Sequence, residues 1–126
     1  MVHGAGVYSA ARGFPPYQPE HYPPFLSLAD WAAKGVLALN INAHGIPNGR
    51  EPEFYDELGG PGGALAGYTH RGKESRERLY FTGMCLRLLR AVDVLTAQPQ
   101  WDGQKVAVIG VSQGGLQVTV TMPAQS

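Results

Sequence analysis

Hydrophobic residues are concentrated in two short runs with an amphipathic stretch between them. Residues 36–41 are almost continuously apolar, and residues 105–109 form a second apolar run directly before Gly110. Apolar runs of this length are typical of strands covered on both faces, as in a parallel sheet. Between them, residues 79–97 have a helical period and predict an amphipathic helix. Its apolar face consists of Leu88, Leu89, Val92 and Leu95. The pattern therefore predicts a strand, a helix and a strand, in that order.

A shorter helix is predicted before the first apolar run. Ser27 and Asp30 resemble a capping box, and Gly35 provides a stop for this helix. Residues 43–72, which are rich in glycine, are predicted to form a long irregular loop. A strand–helix–strand unit with apolar strands implies a right-handed parallel crossover in an α/β layered fold.

Composition and charge exclude several classes of function. The chain has 126 residues, of which 44% are hydrophobic, and this suits a globular rather than a disordered chain. Ten Lys and Arg balance ten Asp and Glu, so nucleic-acid binding has no electrostatic support. No apolar run approaches the roughly 20 residues of a membrane span. The single cysteine, Cys85, excludes an internal disulfide, and the length allows one domain at most, over residues 1–126.

The motif that carries chemistry follows the second apolar run. Residues 110–114 read Gly-Val-Ser-Gln-Gly, a G-x-S-x-G pentapeptide. In a strand-to-helix turn this pattern exposes the serine hydroxyl above the end of the strand, and the glycines allow close backbone approach. The same pentapeptide also occurs as a plain glycine-rich turn. Because an apolar run precedes it directly, we interpret Ser112 as a nucleophile.

A second segment carries atoms that suit the same chemistry. Residues 3–6 read His-Gly-Ala-Gly, and small residues allow an exposed amide to face a substrate carbonyl. The predicted donors to an oxyanion are the backbone amides of Ala5 and Gln113. The four histidines show no metal-ligand spacing, so each is interpreted as a surface or hydrogen-bonded residue. They are His3, His21, His44 and His70. Hydrolysis through a serine nucleophile requires no metal and no organic cofactor, so none is predicted.

Several short motifs, taken in order, resemble one known family. Residues 80–115 are similar to the acetyl xylan esterases and cephalosporin-C deacetylases, which are carbohydrate esterases of the α/β-hydrolase fold. The Ser-Gln-Gly-Gly sequence at 112–115 matches the family's nucleophile turn within residues 110–115. The other matching pieces are the His-Gly-x-Gly loop at 3–6, the Gly-Tyr-Thr-His-Arg-Gly loop at 67–72, the Arg-Ala-Val-Asp segment at 90–93, and the connection containing Pro99, Asp102 and Lys105. The resemblance implies a partial α/β-hydrolase fold, a parallel sheet with flanking helices.

The chain also departs from the family pattern. The sequence Asn-Ala-His-Gly-Ile-Pro at 42–47 stands where the family has Asp-x-Arg-Gly-x-Gly. In this fold the acid and the histidine base follow the nucleophile, but residues 113–126 contain no Asp, Glu or His. Residues 116–123 are rich in β-branched side chains, which predicts a poor continuation of the helix after the turn. We therefore expect a central piece of a hydrolase, truncated at both ends, with its acid and base outside this chain.

The resemblance implies an esterase that removes acetyl groups from carbohydrate or other small esters, with Ser112 as its nucleophile. Peptidase or lactone hydrolase chemistry on the same fold is the close alternative. A different class is a non-catalytic remnant that docks onto a partner covering its open sheet edges. A further alternative keeps this chain active, with His44 or His70 as an unconventional base.

The expected partners follow from the same resemblance. They are a small ester substrate and, because members of the family are often oligomeric, further copies of the chain. The N-terminus lacks the basic and apolar regions of a signal peptide, which favours a cytoplasmic location. The proline-rich residues 7–25 are interpreted as a rigid surface loop, with a polyproline ligand for another domain as the alternative.

Overall fold

The computed structural model describes Val7 and residues 28–121 of the chain. Four α-helices follow one another in this part: α1 is Leu28–Ala33, α2 is Pro52–Gly59, α3 is Tyr80–Thr96 and α4 is Gln113–Thr121. One 3-10 helix, Tyr68–His70, lies between α2 and α3. The longest helix, α3, packs against both α4 and the 3-10 helix. Of the helices in this part of the chain, none combines the length and apolarity that crossing a bilayer requires.

Both helices predicted from the sequence are confirmed. In α3 the buried residues are Met84, Leu88 and Val92, which are four apart and therefore share one face. At the end of α1 the Gly35 amide donates to the carbonyl of Ala32 over 2.9 Å. Gly35 has a φ of 79°, a conformation that glycine adopts without the steric cost of a Cβ. Apolar spacing and a glycine stop were therefore sufficient signals for these two elements.

Neither predicted strand belongs to a sheet within the described residues. Residues 36–40 and 105–109 have no regular secondary structure, and Ile41 and Gly110 each make a single β-bridge. The predicted parallel sheet is therefore not confirmed. A strand joins a ladder only where a neighbour pairs with its backbone groups, and isolated pairs are marginally stable in water. The two apolar runs instead line a groove of about 140 Å³ together with α1 and α3.

The glycine-rich residues 43–72 are more regular than the sequence analysis predicts. Helix α2 lies within them, so the prediction of an irregular loop is wrong at this place. Pro52 suits the first turn because its φ is already helical, and Glu53 places negative charge near the positive end of the helix. Tyr55 anchors α2, since it is 1% exposed and its hydroxyl donates to the Pro47 carbonyl over 2.7 Å.

Helix α4 also corrects a prediction. The β-branched composition of residues 116–123 predicts an early end, but α4 continues to Thr121. Helix propensities of ordinary residues differ by less than about 0.7 kcal/mol, so packing outweighs them easily. Gln117 is fully buried in α4, which packs on α3. The Thr119 hydroxyl donates to the Leu116 carbonyl over 2.7 Å, so its polar group is satisfied inside the helix.

A small core joins these elements below the serine turn. Four of its residues are buried together: Ala43, Tyr68, Met84 and Leu88. Five partly buried apolar residues pack against them: Val7, Ile41, Tyr80, Phe81 and Val108. The cluster connects the 3-10 helix with α3, and Val108 attaches the segment that leads into the serine turn. It therefore fixes the base on which residues 110–115 lie.

Candidate active site

Ser112 lies on a sharp turn between the apolar residues 105–109 and α4. Its φ is 54°, and it is the only non-glycine residue with a positive φ in the described part of the chain. This conformation is sparsely populated by L-residues and costs about 1–3 kcal/mol. The residue is exposed to solvent. A strained serine with an exposed hydroxyl at the start of a helix is the arrangement of a nucleophile elbow.

Gly110, which begins this turn, is required by a close backbone contact. A Cβ added to Gly110 would overlap the carbonyl group of Gly114 and would lie 2.8 Å from Cγ2 of Val118. A Cβ on Gly115 would make only an ordinary van der Waals contact, 3.4 Å from the Gly110 carbonyl oxygen. The segment before the turn and the first turn of α4 therefore approach each other more closely than larger residues allow.

Gln113, the first residue of α4, has a buried and hydrogen-bonded side chain. It is 9% exposed, and its Oε1 accepts a hydrogen bond of 2.7 Å from the Tyr68 hydroxyl. Its Nε2 lies 3.9 Å from Sδ of Met84, a weak acceptor. The side chain is thus held between the 3-10 helix and α3, while the backbone of the same residue begins α4.

The backbone amide of Gln113 is available to a ligand. The Gly114 amide donates to the Val111 carbonyl over 2.9 Å, and the Leu116 amide donates to the Ser112 carbonyl over 3.1 Å. Within the described residues the Gln113 amide makes no such bond, as is usual for the first amides of a helix. The positive end of the helix dipole lies at the same place. An oxygen that acquires negative charge beside Ser112 would be stabilised there.

A histidine and two tyrosines form a cluster behind the first turn of α4. The His44 ring meets the Tyr68 ring edge-on with 4.6 Å between centroids, and His44 Nδ1 lies 3.0 Å from the Tyr80 hydroxyl. His44 is only 4% exposed. Burial raises the pKa of Tyr80, and the positive charges of Arg87 and Arg71 oppose this rise. The cluster therefore places a buried histidine and two tyrosines against the core.

Arg87 of α3 lies beside the turn that contains His44. Its Nη1 is 3.4 Å from the Ala43 carbonyl oxygen, and a Cβ on Gly45 would lie 2.7 Å from its Nε. The His44 amide donates to Oδ1 of Asn42 over 3.0 Å, which closes the turn. A side chain from α3 thus supports the segment whose sequence departs from the family pattern.

The predicted second oxyanion donor lies outside the described residues. Ala5 and the rest of residues 3–6 are not described, but Val7 is. Val7 packs against the core cluster, and its Cβ would lie 3.0 Å from a Cβ added to Gly59. The chain that leaves residues 3–6 therefore contacts the cluster that contains Tyr68.

The remaining predicted residues take no part in this arrangement. His70 is exposed at the end of the 3-10 helix. Arg90 and Asp93 form a local ion pair, with 3.0 Å between nitrogen and oxygen, on the exposed side of α3. Cys85 is partly buried, and burial raises the pKa of its thiol. Within the described ranges, no three His, Cys, Asp or Glu side chains come together as a metal-binding group.

Sequence reasoning missed two residues that contact the site. Tyr68 was used only as part of a family motif, although its hydroxyl is bonded to Gln113. Gln117, one turn after Gln113, is fully buried with its Nε2 4.0 Å from Met84 Sδ. Its Oε1 has no hydrogen-bond partner in the described part of the chain. The only local signal is that two glutamines four residues apart share one face of α4.

Comparison with known proteins gives two matches. The family model of acetyl xylan esterases, AXE1, matches residues 17–125. Acetyl esterase Axe7A of Xylanibacter ruminicola is 33% identical over 91 residues, which are 72% of this chain and 21% of the relative. The chain thus spans about a fifth of the length of that curated relative. No solved structure matches the chain.

Proposed function

Because the chain belongs to the acetyl xylan esterase family, we propose that it carries the nucleophile and oxyanion-binding part of an esterase. The proposed substrates are acetyl esters of carbohydrates or of similar small alcohols, in line with the names of the family and of the relative. The observation that carries the proposal is the conformation of Ser112, with its positive φ, its exposure and its place directly before α4.

In the proposed mechanism Ser112 attacks the carbonyl carbon of the ester. A general base takes the hydroxyl proton as the bond from Oγ to carbon forms, and the carbonyl oxygen becomes an oxyanion. The intermediate collapses, the alcohol leaves with the proton, and an acetyl-serine remains. Water then attacks this ester in the same way and releases acetate. We assign the base and its acid partner to no residue of this chain.

The oxyanion is proposed to lie against the backbone amides of Gln113 and Ala5. The Gln113 amide at the start of α4 makes no hydrogen bond within the described residues, which supports the first assignment, and the His-Gly-Ala-Gly motif at residues 3–6 supports the second. A preorganised donor of this kind contributes about 3–4 kcal/mol to transition-state stabilisation. It acts strongly because its dipole is already oriented when the charge develops.

The fold proposed for the complete enzyme is an α/β-hydrolase domain of which residues 1–126 are a part. In this proposal residues 36–41 and 105–109 are strands of one parallel sheet. Their support is that both runs are apolar and face the same groove against α3. Such a pair requires further strands beside it before it becomes stable.

The proposal is tested by hydrolysis of p-nitrophenyl acetate by the complete enzyme that contains residues 1–126 and by its Ser112→Ala variant, because the base is proposed to lie outside this chain. Loss of the hydroxyl is expected to lower the rate by about 10³-fold or more, to the rate of the buffer. Ser75→Ala is the matched control, because this hydroxyl bonds Glu77 far along the chain from the turn. Far-UV circular dichroism checks that all three proteins are folded.

Two results would contradict the proposal. One is a Ser112→Ala variant that keeps the parent rate, because the hydrolysis would then come from another group. The other is a folded complete enzyme that hydrolyses the ester no faster than buffer, because the nucleophile turn would then have no working base even with the rest of the domain present. The second result would favour a non-catalytic role for this chain.

A further inference from the structure

We propose that Tyr68 is a positioning residue for the oxyanion-binding amide. Its hydroxyl fixes the Gln113 side chain and so holds the Gln113 backbone amide toward the carbonyl oxygen of the substrate. This inference rests on the proposed function, in which that amide binds the oxyanion. Tyr68 itself touches no reacting atom and acts only through Gln113.

The bond between the two side chains is short and protected from water. Its donor and acceptor oxygens are 2.7 Å apart, at the typical length for such a pair. Tyr68 is 7% exposed and Gln113 is 9% exposed. A hydrogen bond in such surroundings has little competition from solvent, and its loss leaves a buried acceptor unsatisfied. The Gln113 side chain is therefore held in one orientation.

Tyr68 is anchored independently of α4. Its ring contacts His44 edge-on at 4.6 Å and Phe81 at 6.2 Å between centroids. It begins the 3-10 helix after Gly67, which has a φ of 60°, and this helix packs on α3. The position of the hydroxyl is thus set by the core and not by the turn that it supports.

Helix α4 holds the peptide group that contains the Gln113 amide only at its carbonyl end, where the Ser112 carbonyl accepts from the Leu116 amide over 3.1 Å. Amides in the first turn of a helix have no carbonyl partner, and the Gln113 amide makes no hydrogen bond within the described residues. The residue before it, Ser112, is in a strained conformation. The planar peptide group sets the direction of the amide, and the Gln113 side chain, bonded to Tyr68, adds a second anchor at the amide end of this group.

The test compares Tyr68→Phe with Tyr55→Phe in the assay described above. Both variants lose one buried hydroxyl, and both hydrogen bonds are 2.7 Å long, but Tyr55 donates to Pro47 and not to α4. We expect Tyr68→Phe to lower kcat at least about tenfold with KM changed less than about twofold, since outright loss of an oxyanion donor costs about 10²–10³-fold. Tyr55→Phe is expected to keep kcat within about twofold.

A double variant separates an effect of Tyr68 that acts through the Gln113 side chain from a general loss of stability. Gln113→Met removes the acceptor at similar volume, so the Tyr68→Phe/Gln113→Met pair should be no slower than the slower single variant. Losses that multiply would overturn the proposal, and so would a Tyr68→Phe variant with the parent kcat. If the latter occurs while Ser112→Ala is inactive, only this inference fails. If Ser112→Ala stays active, the proposed function fails with it.

A second measurement does not depend on turnover. The ¹⁵N relaxation order parameter of the Gln113 amide is expected near 0.85 in the parent chain and in Tyr55→Phe, as for rigid backbone, and clearly lower in Tyr68→Phe. An unchanged value in Tyr68→Phe would overturn the proposal, because the amide would then be held without the tyrosine.

Discussion

Replacement of Gly110 by alanine is expected to destabilise the chain through a clash that no side chain can relieve. The new Cβ would overlap the carbonyl group of Gly114 and would lie 2.8 Å from Val118 Cγ2, where carbon atoms normally stay about 3.5–4.0 Å apart. Val118 can move its methyl group, but the Gly114 atoms belong to the backbone of α4. The first turn of the helix must therefore shift. Overpacking of this kind costs about 1–3 kcal/mol of the free energy of unfolding. Because the clash is with backbone atoms, we expect a value in the upper half of this range.

Urea unfolding followed by far-UV circular dichroism measures this change in the free energy of unfolding. Gly83→Ala is the control, since its Cβ would meet nothing nearer than Arg87 Nη1 at 3.4 Å and it lies within α3. Alanine is the better helix former, so this variant should gain about 0.5–1 kcal/mol. The two substitutions should thus have opposite signs. A Gly110→Ala variant within about 0.5 kcal/mol of the parent would refute the close approach at the turn.

Two further predictions concern the core around α3. Met84→Ala should lower the free energy of unfolding by about 2–5 kcal/mol, because this side chain is fully buried, while Leu86→Ala, at 56% exposed, should change it by less than about 0.5 kcal/mol. Equal shifts of the urea midpoint would contradict this burial. Burial raises the pKa of the Tyr80 hydroxyl. Because the hydroxyl ionises first in the unfolded chain, the stability that its neutral form contributes is present below about pH 10 and is lost as the pH rises toward the raised pKa. Tyr80→Phe should make the decline of the urea midpoint above about pH 10 shallower, and identical declines would count against this assignment.

Helix α3 could be predicted because its signal is contained in its own sequence. Leu88 and Val92 of the predicted apolar face are buried, and the structure adds Met84 one turn before them. Helix α2 was missed because its eight residues lie among glycines, and Pro52 at its start is a weak signal without a long apolar stripe. The apolar runs predict strands, but a run carries no information about which segment pairs with it. Pairing depends on neighbours, and the described residues contain single bridges only.

The site likewise has a part that could be predicted from local sequence and a part that depends on long-range packing. The serine turn could be predicted because five consecutive residues define it, and Ser112 then has the unusual φ that the motif requires. Tyr68 could not be predicted from local sequence, because it lies 45 residues before the side chain that it bonds. Packing of the 3-10 helix and α4 on the same helix, α3, brings the two together.

Strain at Ser112 is maintained because the chain is constrained on both sides of it. A residue with a φ of 54° relaxes unless its surroundings over-determine its position. Before it, the close contact of Gly110 with Gly114 fixes the entry to the turn. After it, the Tyr68 hydroxyl holds Gln113 against the core. Because both constraints rest on elements packed around α3, the geometry of the proposed nucleophile depends on core packing as much as on the turn sequence itself.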